Sequence, residues 1–168
     1  MTQPAGQLAA IYITDVGGAA MVAQDTVRAI AGVGLENDRY ATKNGAFSTR
    51  PGRGREVTLI AREAVAAANA TTSGTDIIGE HETRRNLVTV GIDLDALIGK
   101  TFTVGGTVML GVRNCPPCTY LEGLTRPGVK TALAGGAGLR AEILHGGTLH
   151  VGDCIVELED ADEVAALL

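Results

Sequence analysis

Two thiols stand three residues apart in Cys115-Pro116-Pro117-Cys118, with a proline pair between them. This spacing fits a redox dithiol, part of a zinc site, or one reactive thiol beside a quieter one. A dithiol of the thioredoxin type needs βαβ surroundings and a later proline packed against the thiols. Here the flanks read as β-hairpins and the one later proline is Pro127. A zinc site normally takes four ligands, and only Cys154, His81, His145 and His150 remain to complete it. A single thiolate, held where a strand ends and the prolines stiffen the chain, could ligate a soft metal or carry a sulfur atom. Two small apolar-behaving cysteines in a tight turn fit the same spacing.

The second group of candidates is basic. Arg84-Arg85-Asn86 opens the apolar run Leu87-Val88-Thr89-Val90. On a strand, residues two apart share a face, so Arg84 and Asn86 are expected to grip one ligand while Arg85 points away. Arg84→Ala is therefore expected to weaken anion binding more than Arg85→Ala does. Arg50, Arg53 and Arg55, set around Pro51, Gly52 and Gly54, fit either an anion clamp or a solvated basic loop. Arg113 and Thr119 flank the cysteine pair and are expected at the same mouth. Asp38-Arg39, after a glycine-rich turn, reads as an internal ion pair that sets the turn. His81, His145 and His150 read as surface residues.

The elements that must position these groups are mostly short strands. The 168 residues include 23 glycines, distributed between short apolar runs, which favours many turns and few long helices. Strands are expected at Leu8–Ile13, Thr26–Ile30, Glu56–Ile60, Arg84–Val90, Thr101–Val104, Thr107–Val112, Leu139–Leu144, Thr148–Val151 and Cys154–Leu158. Gly105-Gly106 marks a hairpin. Arg62–Ala70, alanine-rich and free of glycine and proline, is the clearest helix. Shorter helical pieces are expected near Tyr120–Leu124, Pro127–Leu133 and the acidic tail. Residues 71–83 read as a loop. These features predict one domain over residues 1–168, of the α+β class and β-rich, with a barrel-like mixed sheet and a few short helices.

Composition narrows the partners. A net charge of −5 provides no general basic field for a nucleic acid backbone. Arginines nonetheless outnumber lysines eleven to three, and several cluster locally, which suits a small anion. Three cysteines do not make a disulfide framework. No secretory leader or membrane span is expected, so the chain reads as cytoplasmic.

Taken in order along the chain, Gly34–Tyr40, Glu56–Ile60, Arg84–Leu94, Leu97–Lys100, the run to Cys118, Leu121–Gly128 and Gly146–Asp153 resemble the MOSC family, the domain found at the C-terminus of molybdenum cofactor sulfurases. The resemblance implies a β-rich barrel that binds molybdenum cofactor (molybdopterin) or moves sulfur to it. Cys118 then aligns with the cysteine that ligates molybdenum or holds a persulfide, and Cys115 becomes a resolving thiol. Arg84 and Asn86 stand where the amidoxime-reducing branch has an Arg-x-Asn that holds the pterin, with Arg113 and Thr119 beside them. The resemblance also implies a sulfur donor or a reductase as partner, and reduction of N-hydroxylated compounds as one activity. A non-catalytic cofactor carrier and a metal-free CxxC redox protein are the competing readings. Asn37 replaces the family's usual glycine, and asparagine tolerates the left-handed conformation. The pyridoxal-phosphate domain of the sulfurases has no counterpart in this sequence.

Overall fold

Period-two alternation of apolar residues dominates the chain, and strands dominate the result. A computed structural model describes residues 6–50, 52–71 and 77–168. Among them are strands β1 (Gly6–Ile13), β2 (Val22–Gln24), β3 (Thr26–Ile30), β4 (Gly34–Leu35), β5 (Val57–Ala61), β6 (Leu87–Val90), β7 (Thr101–Val104), β8 (Thr107–Asn114), β9 (Leu139–His145), β10 (Gly147–His150) and β11 (Cys154–Leu158). Seven of them form a closed barrel in the order β11-β7-β8-β9-β5-β6-β1, with β1 returning to β11 through Gly6–Ile155 and Gln7–Cys154. β2 hangs on β1 outside the ring, and β10, β3 and β4 form a separate small sheet. The β5–β6 pair is parallel, whereas the other barrel pairs are antiparallel. A parallel pair needs a crossover. Helix α2 (Arg62–Ala70), the longest among the described residues, lies on that crossover. The remaining helices are short: α1 (Arg39–Thr42), α3 (Thr119–Leu124), α4 (Val129–Ala132) and α5 (Ala161–Leu167).

Two apolar clusters follow from the same alternation. Leu59 of β5 and Leu87 of β6 point into the barrel with Leu8, Phe102, Met109 and Leu139. Their neighbours Ile60 and Val88 point outward, beneath Val65 and Ala68 of α2 and with Leu121 of α3 and Leu133 beside them. Both faces of β5 and β6 are therefore covered, which explains why these strands read as nearly continuous apolar runs. The barrel-like mixed sheet and short helices expected from the sequence are observed, with α2 at its expected bounds.

Strand bounds and pairings differ locally from the sequence expectation. The strand expected from Arg84 begins only at Leu87, because Glu80–Thr83 forms a 3-10 turn and Arg84 follows it with φ 59° and ψ 23°. That left-handed residue ends the period-two pattern before the strand starts. β10 pairs with β3, not with β9, although Gly146 alone separates β9 from β10. β2, β4 and α1 give no periodic signal, being two to four residues long. Residues 72–76 of the expected loop, and Pro51, lie outside the described residues. Asn37 adopts φ 65°, the left-handed conformation its side chain was expected to permit. Among the described residues, no helix is long and apolar enough to cross a membrane.

Candidate functional site

The cysteine turn is built from the end of β8. The Cys115 N–H donates to the Gly138 carbonyl at 2.8 Å, and the residue is 1 % exposed. Pro116 and Pro117 carry no N–H, so the chain passes on without joining the sheet. Cys118 then adopts an extended backbone as the residue capping α3, its carbonyl accepting the Glu122 N–H at 3.1 Å. It is half-buried and lines a cleft that opens to solvent. Cys115 instead lies beside a second hollow with Asp95, Asn114 and Gly135. Both thiols are free, and Cys118 is the more exposed of the two.

Arg85 holds this turn in place. Its Nε donates to the Ala137 carbonyl at 2.7 Å, Nη1 to Thr83 at 3.2 Å, and Nη2 to Cys115 at 2.8 Å and Pro116 at 3.4 Å. The expectation that Arg85 faces away while Arg84 and Asn86 share a ligand face is overturned. Arg84 and Arg85 both line the cleft, because the left-handed Arg84 turns the chain before the strand begins. Asn86 is 0 % exposed and points into the sheet. Its Oδ1 accepts the Thr58 N–H and hydroxyl, each at 3.1 Å, and its Nδ2 donates to the Tyr12 carbonyl at 3.1 Å. It ties β1 to β5 at the head of β6 and is not among the residues lining the cleft. Arg113 and Thr119 are exposed and likewise stand outside its wall.

Among the described residues, four arginines line the cleft, Arg39, Arg84, Arg85 and Arg140, and no carboxylate does. Arg39 follows Asp38 in the turn, and the expected ion pair forms between them at 3.2 Å. Asp38 also caps α1, its Oδ2 accepting the Tyr40 N–H and its Oδ1 the Thr14 N–H. Arg39 passes on to the Arg84 carbonyl at 2.9 Å and lies over the Tyr40 ring. Arg84 Nη1 donates to Ala19 at 2.7 Å, while its buried Nη2 meets no acceptor among the described residues. Burial, and then the charge of Arg39, push the Arg84 pKa below the usual arginine value.

Arg140, on β9, stands opposite Arg113 and Thr58 in the sheet. Burial acts to lower its pKa, but the nearby Cys115, Tyr40 and Cys118 side chains outweigh burial and raise it. Its Nη1 is also buried without an acceptor among the described residues. Sequence reasoning missed Arg140, Arg39 and the aromatic side chains of Tyr40, Phe47 and Tyr120 in this wall. Arg39 had been read only as a structural partner. Arg140 carries no local signal, since it alternates with Glu142 on an ordinary strand.

A left-handed non-glycine residue beside a ligand cleft yields a prediction. An L side chain in that conformation costs ~1–2 kcal/mol, whereas glycine costs ~0.5–1 kcal/mol in chain entropy. Arg84→Gly also removes the unpaired buried Nη2 but loses the bond to Ala19. The variant is expected to keep its urea midpoint within ~1 kcal/mol of the parent while anion affinity drops at least about tenfold, the loss of one charge-assisted contact. Urea titration with calorimetric anion binding checks both halves. A large loss of stability would make Arg84 a scaffold residue.

The cleft suits an anionic ligand with a planar ring and a soft centre. Unpaired buried N–H groups at Arg84 and Arg140 are waiting donors, three aromatic side chains offer flat surfaces, and Cys118 offers a thiol. The MOSC domain family profile matches residues 48–156. No curated protein sequence matches the chain. Among solved structures, the YUAD protein of Bacillus subtilis superposes with a TM-score of 0.73 at 19 % identity, covering 92 % of this chain and 97 % of that one. YiiM of Geobacillus stearothermophilus gives 0.70 at 14 % identity, over 92 % and 75 % of the two chains. YiiM of Escherichia coli gives 0.65 at 14 % identity, over 92 % and 71 %. At these identities the likeness is one of fold.

Proposed function

Because the chain belongs to the MOSC domain family, we propose that its arginine-lined cleft binds molybdenum cofactor and that Cys118 is the thiol serving it, as metal ligand or as sulfur carrier. The observation that carries this reading is one accessible thiol sharing a cleft with two buried, unpaired guanidinium N–H groups. Arg84 and Arg140 would hold the cofactor's phosphate, and Tyr40, Phe47 and Tyr120 would offer flat surfaces for its pterin. When bound, the cofactor supplies a metal centre for two-electron reduction, N-hydroxylated compounds being the substrate class the family suggests.

In the sulfur-carrier role, the Cys118 thiolate attacks the outer sulfur of a persulfide on a donor protein. The donor's S–S bond breaks, the donor leaves as a thiolate, and Cys118 keeps the transferred sulfur as a persulfide. Arg140 faces negative charge before and after that step. Arg85 fixes the Cys115 and Pro116 carbonyls, so the turn that presents Cys118 keeps its shape. The burial of Cys115 beside the more exposed Cys118 favours these roles over a paired dithiol.

The test is the molybdenum and pterin content of protein purified from a molybdate-fed host. Metal and pterin near one per chain, with turnover of an N-hydroxylated substrate given a reductase, support the enzyme. Metal without turnover supports a cofactor carrier. Neither metal nor pterin, together with a reversible Cys115–Cys118 disulfide, would overturn the cofactor reading in favour of a redox protein.

A further inference from the structure

A second cleft lies next to the first, and Tyr40 lines both. It contains about 670 Å³ of open space and is bounded by Lys43, Ser48, Gly52, Arg53 and Arg55, with Glu56 and Glu142 behind. The two carboxylates are already engaged. Glu142 takes both ends of the Arg53 fork, Nε to Oε1 and Nη2 to Oε2 at 2.8 Å each. Glu56 accepts the Ile143 N–H at 3.0 Å. Arg55 is left with one protein acceptor, the Phe47 carbonyl at 3.3 Å, and its buried Nε meets none among the described residues.

Its neighbours make that guanidinium harder to hold. Burial, then the charges of Arg140 and Arg113 and, more weakly, Arg50, lower the Arg55 pKa. Arg55 has no ion pair among the described residues, and Arg113 and Arg140, which pair across β8 and β9, have none there either. Glu142 is taken up by Arg53, so a guanidinium that keeps no ion pair of its own beside further like charges is stabilised by a bound anion. Gly52 keeps the approach open. A Cβ there would lie 3.6 Å from Arg55 Nε and 3.8 Å from its Nη2, and the φ of 140° is one that L side chains rarely adopt. Ser48 Oγ accepts the Gly45 N–H at 2.9 Å and so retains its own proton for a ligand.

We propose that the Arg55 cleft is a second anion subsite, continuous with the thiol cleft across Tyr40, and that it takes a phosphate group of a ligand whose other anionic group sits at Arg84 and Arg140. The natural ligand is then a bis-anion spanning both clefts, and a singly anionic molecule fills only one. This inference extends the cofactor reading without requiring the metal.

The probes are inorganic phosphate, a series of α,ω-alkanediol bisphosphates and the matching monophosphates, at fixed ionic strength on cofactor-free protein. Phosphate should shift the backbone amides of Gly52 and Gly54 as well as those of Gly17 and Cys118. At least one bisphosphate should bind about tenfold or more tightly than its monophosphate, as expected when a tether makes the second contact intramolecular. Arg55→Gln should abolish that advantage and the Gly52 and Gly54 shifts, leaving the Gly17 and Cys118 shifts intact. Gly52→Ala should reduce the advantage by covering Nε. A wild type with no tether advantage at any length, or an Arg55→Gln variant that keeps it, overturns the proposal. Neither result bears on molybdenum loading at Cys118, so failure here is separable from failure of the cofactor reading.

Discussion

Cys118→Ser is expected to reduce molybdenum or persulfide loading to less than about a tenth of wild type, whereas Cys115→Ser keeps more than about half. The difference rests on soft-donor chemistry, since a serine hydroxyl is a poor substitute for a thiolate at a soft metal and cannot form a persulfide. It rests equally on placement. Cys118 lines the arginine cleft, while Cys115 is 1 % exposed beside a second hollow and its carbonyl is held by Arg85. Cys115→Ser should therefore act on stability, because it puts a hydroxyl where a small apolar side chain was packed, a change worth ~1–3 kcal/mol. Alkylation of both single variants at neutral pH, beside metal and sulfane-sulfur assays, reads the two effects apart. Cys115 reacting first, with its loss alone emptying the site, would reverse the assignment.

Gly138→Ala is expected to prevent the barrel from forming. A Cβ at this position would lie 2.1 Å from the Leu59 carbonyl oxygen of β5, and the backbone φ of 114° is unfavourable for any L side chain. Neither partner can yield easily. Gly138 gives its carbonyl to the Cys115 N–H, and Leu59 is paired to both Leu87 and Leu139. The loss should exceed about 4 kcal/mol, the range reserved for severe core disruption, and should leave insoluble or molten protein. Gly135→Ala is the control from the same turn. It also has a positive φ, 83°, but a Cβ there meets nothing within 4 Å. Its cost should stay near the ~1–2 kcal/mol of left-handed backbone alone. Urea midpoints and near-ultraviolet circular dichroism of the pair decide. Equal, small losses for both would mean that β5 and the Gly138 turn do not approach each other as described.

What the sequence made legible was local. The alternation in Thr101–Val104 and Thr107–Val112 around Gly105-Gly106 indicated a hairpin, and Arg62–Ala70 had the composition of a helix. The cysteine turn was visible for the same reason, as its chemistry lies in four consecutive residues. Arg84 misled because period-two reasoning assumes a strand, and a single left-handed residue cancels that assumption without leaving a mark in composition. Arg140 was invisible for a different reason. Its position near the thiols depends on the register of β9 against β8, where Arg140 stands opposite Arg113 and Leu139 opposite Asn114. Register between strands separated by 24 residues, 115–138, is fixed by the whole barrel's packing, not by either strand alone. Asn86 was found as a polar residue in an apolar run, but its three hydrogen bonds run into the sheet.

The ring closes between its first and last strands, and this has a bearing on how the molecule breathes. Among the described residues, Gly6–Ile155 and Gln7–Cys154 pair there, continued by the Leu8 N–H to Asp153 and the Gly152 N–H to Leu8. The β8–β9 contact is longer, with six residue pairs. Opening frees the fewest interactions along the β1–β11 line, so amide hydrogens there exchange earliest. β9, which carries Arg140, lies opposite this seam in the ring. During synthesis the seam is also the last contact to form, since β11 comes from the end of the chain opposite β1 and must close the longest loop. Fluctuations of the barrel are thus expected to gather where β1 meets β11, and Arg140 on β9 sits across the ring from them.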